Sequence, residues 1–418
     1  VNFQERVTKG IKGLRRSLWA LVGPGWLVML ADVDAPSILT AMQSGYYLGY
    51  AMIPWLLILT IPLYFIQELT IRAALGSGKG MGELLKESYG APIAFLSLIA
   101  MLLIDGAAYI GEYASIAAIG IIFGIPVVVS IALTLVFHTG IIAVGGSYKR
   151  VENTLIAVSA FILIYLVAFA VIPIGIHGLT QSFINILIPS TYYDSEYVAL
   201  LTANVGAVIM PWMLYYQQSA IVDKGLRREH YTHERFETAM GAVMSEALMV
   251  SALIVGYWLR VKGGYVDGFQ EALLSIYKLI SPYWFIAASI GMAAAALLAI
   301  FVISMGFAYG LSEHFGWARG FSRSPREAWR FYLFYAVEIV PAALIVLFMR
   351  NLTNLILDIM IFNSLALSIP LILLIRVTSR KDLVGEYAIG RARAIALYVV
   401  AALIVGIGLY TALTSLIA

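Results

Sequence analysis

Eleven apolar stretches, each long enough to cross a bilayer, restrict the fold of this chain more than any other feature. They fall at about residues 17–44, 48–74, 92–121, 125–145, 153–176, 199–220, 237–259, 282–309, 330–349, 354–375 and 389–416. In lipid every backbone N–H and C=O needs a partner within the protein, which leaves only helices and closed barrels. A barrel strand needs about ten residues and a helix about twenty, so runs of this length specify helices. The expected fold class is an all-α integral membrane protein with 11 transmembrane helices. Composition agrees, because 61% of the residues are hydrophobic and only 12% are charged. A soluble surface needs roughly a quarter charged residues. A large soluble protein with an oversized core is therefore excluded, and zero cysteines exclude disulfides and thiolate metal sites.

Basic residues give the expected orientation. With the N-terminus inside, 23 of the 27 Lys and Arg fall on the cytoplasmic side, leaving only Arg260, Lys262, Lys278 and Arg350 outside. An odd number of spans then puts the C-terminus outside, in a multi-pass cell-membrane protein. Residues 1–16 read as a basic cytoplasmic segment and not a signal peptide. Residues 177–198 read as a moderately amphipathic external loop with a short interfacial helix.

Two spans are abnormal. The first carries Gly23-Pro24-Gly25 and then Asp34-Ala35-Pro36-Ser37 at mid-depth, and the sixth carries Gly206-Ala207 and Met210-Pro211 at mid-depth. A carboxylate in lipid is costly, and a proline inside a helix leaves a carbonyl unpartnered. Both become tolerable if they line one ligand cavity, where freed carbonyls and helix ends coordinate a cation beside Asp34. The breaks lie five spans apart. That spacing points to a 5+5 inverted repeat with interrupted helices 1 and 6 meeting at a central site. The halves would be 17–176 and 199–375, with 389–416 as an eleventh helix. A proline kink and a paired buried acid remain the ordinary explanation of either break alone.

The segments "GPGWLVMLADVDAPSILTAMQSG" and "VGAVIMPWMLYYQQSA" resemble the first and sixth helices of the Nramp family of divalent metal-ion transporters, which have the LeuT-type fold. "QELTIRAALGSGKGMGELLKE", "IIFGIP", "GSYKRVE" and "TSRKDLVG" extend the likeness in the same order along the chain. The resemblance implies that Asp34 binds metal, that Ala35, Pro36 and Ser37 stand where the family has proline, glycine and asparagine, that Ala207 offers a carbonyl and that Met210 offers a thioether. Trp212 stands where the family has histidine, and Glu112 matches its helix-3 glutamate. Asp32 adds a second acid. The changes at 37 and 212 resemble the Nramp-related magnesium transporters.

Mg²⁺ wants oxygen ligands and keeps several waters, as Asp34, Ser37 and free carbonyls would allow. A thioether favours Mn²⁺, Fe²⁺ or Cd²⁺. Uptake of both Mg²⁺ and Mn²⁺ by alternating access, without proton coupling, reconciles the two. A negative-inside potential would favour an uncoupled divalent ion by about 4.6 kcal/mol per 100 mV, twice the single-charge figure. The alternatives are a proton-coupled Mn²⁺/Fe²⁺ importer and a Na⁺-coupled organic-solute transporter. A non-transporting receptor fits the two broken helices poorly. An enzyme, a resident cofactor and a nucleic-acid partner are not expected, and a monomer is.

Secondary candidates are Asp32, Gln43, Trp212, Asn363 and Glu112. Gln217 and Gln218 read first as interhelical hydrogen-bonders. Asp105 and Glu112, seven apart in one span, share a face. His230 and His233 read as solvated, and no imidazole lies in the central helices.

Overall fold

A computed structural model describes residues 23–167, 172, 175–187, 195–348 and 353–417. The expected segment 1–16 and the start of the first span lie outside these residues, as does part of the loop 177–198. The first span forms two helices, α1 (Pro24–Asp32) and α2 (Ala35–Leu48), bent by 49° at Val33 and Asp34. After it come α3 (Ile53–Ser77), α4 (Met81–Tyr89), α5 (Ala91–Ile122), α6 (Val127–Gly140) and α7 (Tyr148–Ile162). The short α8 (Ile176–Leu187) supplies the helix expected in the 177–198 loop. The sixth span forms α9 (Ser195–Val208) and α10 (Pro211–Asp223), separated by Ile209 and Met210. Then follow α11 (Tyr231–Val261), α12 (Phe269–Leu279) and α13 (Pro282–Phe315). The chain continues through α14 (Trp329–Val337), α15 (Val340–Phe348), α16 (Thr353–Ala366), α17 (Ser368–Thr378), α18 (Lys381–Val384) and α19 (Arg391–Ile417).

Most of the prolines that flag these breaks start helices. Pro24, Pro36, Pro54, Pro92, Pro211 and Pro282 all sit in first turns, where the missing N–H costs no hydrogen bond. Among the described residues, nine helical runs and the bent α1–α2 pair are long and apolar enough to cross a membrane. The fourth expected span, 125–145, is shorter. It gives the 14-residue α6 and a 3₁₀ turn over Ile141–Val144, bounded by Pro126 before it and Gly145 after it. The helix α12 was not expected at all.

The two broken spans form the centre. In the run Glu196–Asp223, 89% of the most apolar window is buried, against 33% for Arg391–Thr414 at the lipid-facing edge. Helices α3 and α11 pack on one side of the centre, and α5, α13 and α16 on the other. One close crossing joins α2 to α11. A Cβ on Gly45 would lie 1.9 Å from the Leu253 carbonyl oxygen, and one on Gly256 would lie 1.9 Å from that of Met42. Lipid offers no hydrophobic drive for helices to associate, so such backbone-to-backbone approach supplies the packing energy.

Candidate metal centre

Asp34 is the N-cap of α2, and its side chain explains the break. Its Oδ1 accepts the Ser37 N–H at 2.7 Å, satisfying a first-turn donor that the preceding helix cannot. Oδ2 has no hydrogen-bond partner. Ser37 donates its hydroxyl to the Ala207 carbonyl at 3.2 Å, so the first turn of α2 meets the last turn of α9. Asp34, Ser37, Ala207 and Met210 are all buried.

Glu112 closes the same space from α5. Its Oε2 accepts the Ala35 N–H at 3.4 Å, its carboxyl interacts directly with that of Asp34, and Oε1 is unpartnered. Gly111 permits this approach, since a Cβ there would lie 2.4 Å from Pro36 Cγ. Asp32 bonds to α11 instead. Its Oδ2 accepts from Ser245 Oγ at 3.4 Å, Oδ1 has no partner, and Glu246 of α11 and Asp34 are both close enough to act on its charge; Glu246 is itself buried with both oxygens unpartnered. Glu246 was missed in the sequence, although an acid inside the run 237–259 is a legible signal.

At the second break, Met210 caps α10 and offers its thioether to its own neighbourhood. The Trp212 indole N–H donates to Met210 Sδ at 3.2 Å, and the Met210 N–H points to Met213 Sδ at 3.3 Å. Asp105 lies near the Trp212 backbone N–H, a favourable place for an acid because a helix N-terminus is positive. Asp34, Glu112, Ser37 and the Ala207 carbonyl thus offer oxygen, with sulfur close by. That set can hold a divalent ion.

An open cavity of about 1060 Å³ lies between α2, α5, α9 and the start of α12. Its walls carry Glu196, Asp267 and Glu271, and it reaches Gln43 and Ala114. Gln43 therefore sits in the vestibule, where its Nε2 donates to the Asp267 carbonyl at 3.2 Å. At the opposite end, hydrogen bonds and ion pairs join the described helices. Glu237 accepts from the Gly23 and Trp26 N–H groups at 2.8 and 2.7 Å. Lys224 pairs with Glu152 at 2.7 Å, and Arg319 with Glu313 at 3.1 Å.

The profile of the natural resistance-associated macrophage protein-like family matches residues 25–414. The chain belongs to the Nramp family. It is 23% identical over 417 residues to the divalent metal cation transporter MntH of Bacillus subtilis, covering 97% of this chain and 95% of that one. The Staphylococcus aureus MntH is 25% identical over 396 residues, covering 89% and 86%. In structure, the Eremococcus coleocola manganese transporter superposes with a TM-score of 0.75 at 14% identity, covering 95% of this chain and 87% of that one. A Na⁺-coupled sialic acid symporter gives 0.54 at 14% identity, covering 93% and 89%. The architecture is an all-α multi-span membrane fold. Nramp proteins are transporters and not enzymes.

The remaining candidates of this Nramp chain fall at several places in the fold. Gln217 joins Thr70 at 2.9 Å and Thr238 at 2.8 Å, and Gln218 donates to the Lys79 carbonyl at 3.0 Å, so both hold helices together. Asn363 is buried on α16, which packs against α2, α5 and α9, but its amide reaches only Met360 Sδ at 3.9 Å and its Oδ1 is unpartnered. His230 is exposed as expected. His233 is two-thirds buried and faces Glu237. A further imidazole, His138 on α6, is fully buried away from the two breaks, stacked 4.3 Å from Tyr335 and hydrogen-bonded to Ser304 at 2.9 Å.

Proposed function

We propose that this Nramp protein takes up divalent metal ions, Mn²⁺ foremost, by alternating access around Asp34, with metal entry displacing a proton. The carrying observation is the buried Asp34–Glu112 pair beside the Ser37–Ala207 contact. Two touching carboxyls without a cationic partner do not both carry charge in an apolar interior. A divalent ion supplies the missing charge, and the displaced proton leaves by Glu112. The relatives named for manganese and divalent metals support this ion, and with it the proton-coupled alternative over the proton-independent reading. The ion enters through the vestibule, whose end is extracellular by the distribution of basic residues, and leaves where α1 meets α11. Rocking of the half that holds the broken helices, in a 5+5 repeat with the sixth span interrupted, exchanges the two openings.

One observation favours Mg²⁺ as a second substrate. The Trp212 hydrogen bond occupies Met210 Sδ, which leaves an oxygen-rich set suited to a hard, partly hydrated ion.

Uptake into proteoliposomes tests both points. Mn²⁺, Mg²⁺ and Ca²⁺ are compared under a negative-inside potential with an internal pH dye, for wild type and Asp34→Ala. Mn²⁺ entry with acidification, lost in the variant, is the expected result. Entry of Mg²⁺ without acidification would restore the uncoupled magnesium reading.

A further inference from the structure

At the end opposite the vestibule, α11 begins with three ligand-type residues within its first two turns. The donor atoms of His233, Glu234 and Glu237 all lie within 4.8 Å of one another. Glu234 is buried with neither oxygen hydrogen-bonded. Glu237 spends Oε1 on the Gly23 and Trp26 N–H groups, and its Oε2, without a hydrogen bond, faces His233 Nε2 at 3.8 Å. Glu152 of α7 adds a third carboxylate, and Lys224 is bonded to it at 2.7 Å. Among the described residues these three carboxyl groups share the Lys224 ammonium, so full ionisation of all three would lack two positive charges. A divalent cation matches that deficit.

We propose that His233, Glu234 and Glu237 form a second divalent-cation site, separate from Asp34, that fastens α1 to α11. One imidazole nitrogen with two carboxylate oxygens suits Mn²⁺, Fe²⁺ or Zn²⁺. His233 and Glu237 share a helix face at i and i+4, and the partly exposed His233 gives access from solvent. An ion held there draws in the carboxylate that caps α1. It therefore stabilises the state in which this end is closed, and slows further transport when metal accumulates on that side. Only this regulatory consequence rests on the transport reading; the site stands on its own geometry.

Equilibrium binding of Mn²⁺, read by electron paramagnetic resonance on the detergent-purified full chain, tests it. Wild type should bind two ions per chain, and Asp34→Ala, Glu234→Gln and His233→Ala one each. Retention of the Asp34 ion shows that a variant is folded. Stoichiometry unchanged in both Glu234→Gln and His233→Ala would overturn the site. Loss of an ion in those two but not in Asp34→Ala would uphold the site and remove the central one instead.

Discussion

The Trp212 indole donates its N–H to Met210 Sδ across 3.2 Å, two residues along the same broken helix. The sulfur that the resemblance assigns to metal is therefore hydrogen-bonded within the protein. Trp212→Phe keeps the ring and removes the donor, which frees the thioether for a soft ion. Competition of Cd²⁺ against Mn²⁺ uptake should strengthen by about fivefold, corresponding to roughly 1 kcal/mol for one hydrogen bond. Mg²⁺ entry should change little. Unaltered Cd²⁺ competition would mark Met210 as a packing residue.

Glu112→Gln retains an acceptor for the Ala35 N–H but removes a titratable group from the pair with Asp34. Mn²⁺ uptake should persist at a lower rate while its accompanying proton movement is lost. Parallel metal and pH dyes in proteoliposomes read the two separately. A full proton signal in the variant would remove Glu112 from the path.

The vestibule acids act at a distance. Glu196, Asp267 and Glu271 line the cavity that reaches Gln43 of α2 and Ala114 of α5, and an acidic cleft concentrates cations. Replacing Glu196 and Glu271 with glutamine should raise KM for Mn²⁺ and leave the maximal rate intact. The effect should fade at high ionic strength, because screening shortens the reach of these charges.

Packing at the α2–α11 crossing makes a stability prediction. Gly45→Leu drives a side chain into the Leu253 backbone and should cost at least about 3 kcal/mol, the upper end for overpacking. Gly106→Ala, in α5 with open space around it, should be neutral or stabilising by up to about 1 kcal/mol. Thermal unfolding in detergent compares the two, and equal Tm values would refute the close-packing account.

The helices and their breaks were legible because apolar length, proline and a lone buried acid are local properties. The apolar run length told helix from strand, and Asp34 with Pro36 marked where the first span had to stop. Ser37 and Ala207 were proposed from family motifs on separate helices; only the fold puts them in contact, across 170 positions. The length of α6 was misjudged because hydropathy runs through the glycines that close the helix. His233 read as solvated because its neighbours in sequence are charged, whereas the fold turns it toward Glu237 and buries Glu234 beside it. Gln43 reads as bonding either between helices or to waters of the ion, and the fold places it on the cavity wall against the Asp267 carbonyl. The sequence by itself determined the membrane class, the central acid and the places where the helices break, since each follows from the cost of leaving a charge or carbonyl unsatisfied in lipid. Tertiary structure alone decided which carboxyls meet, which sulfur is engaged and which end is open, because those depend on contacts between residues far apart in the chain.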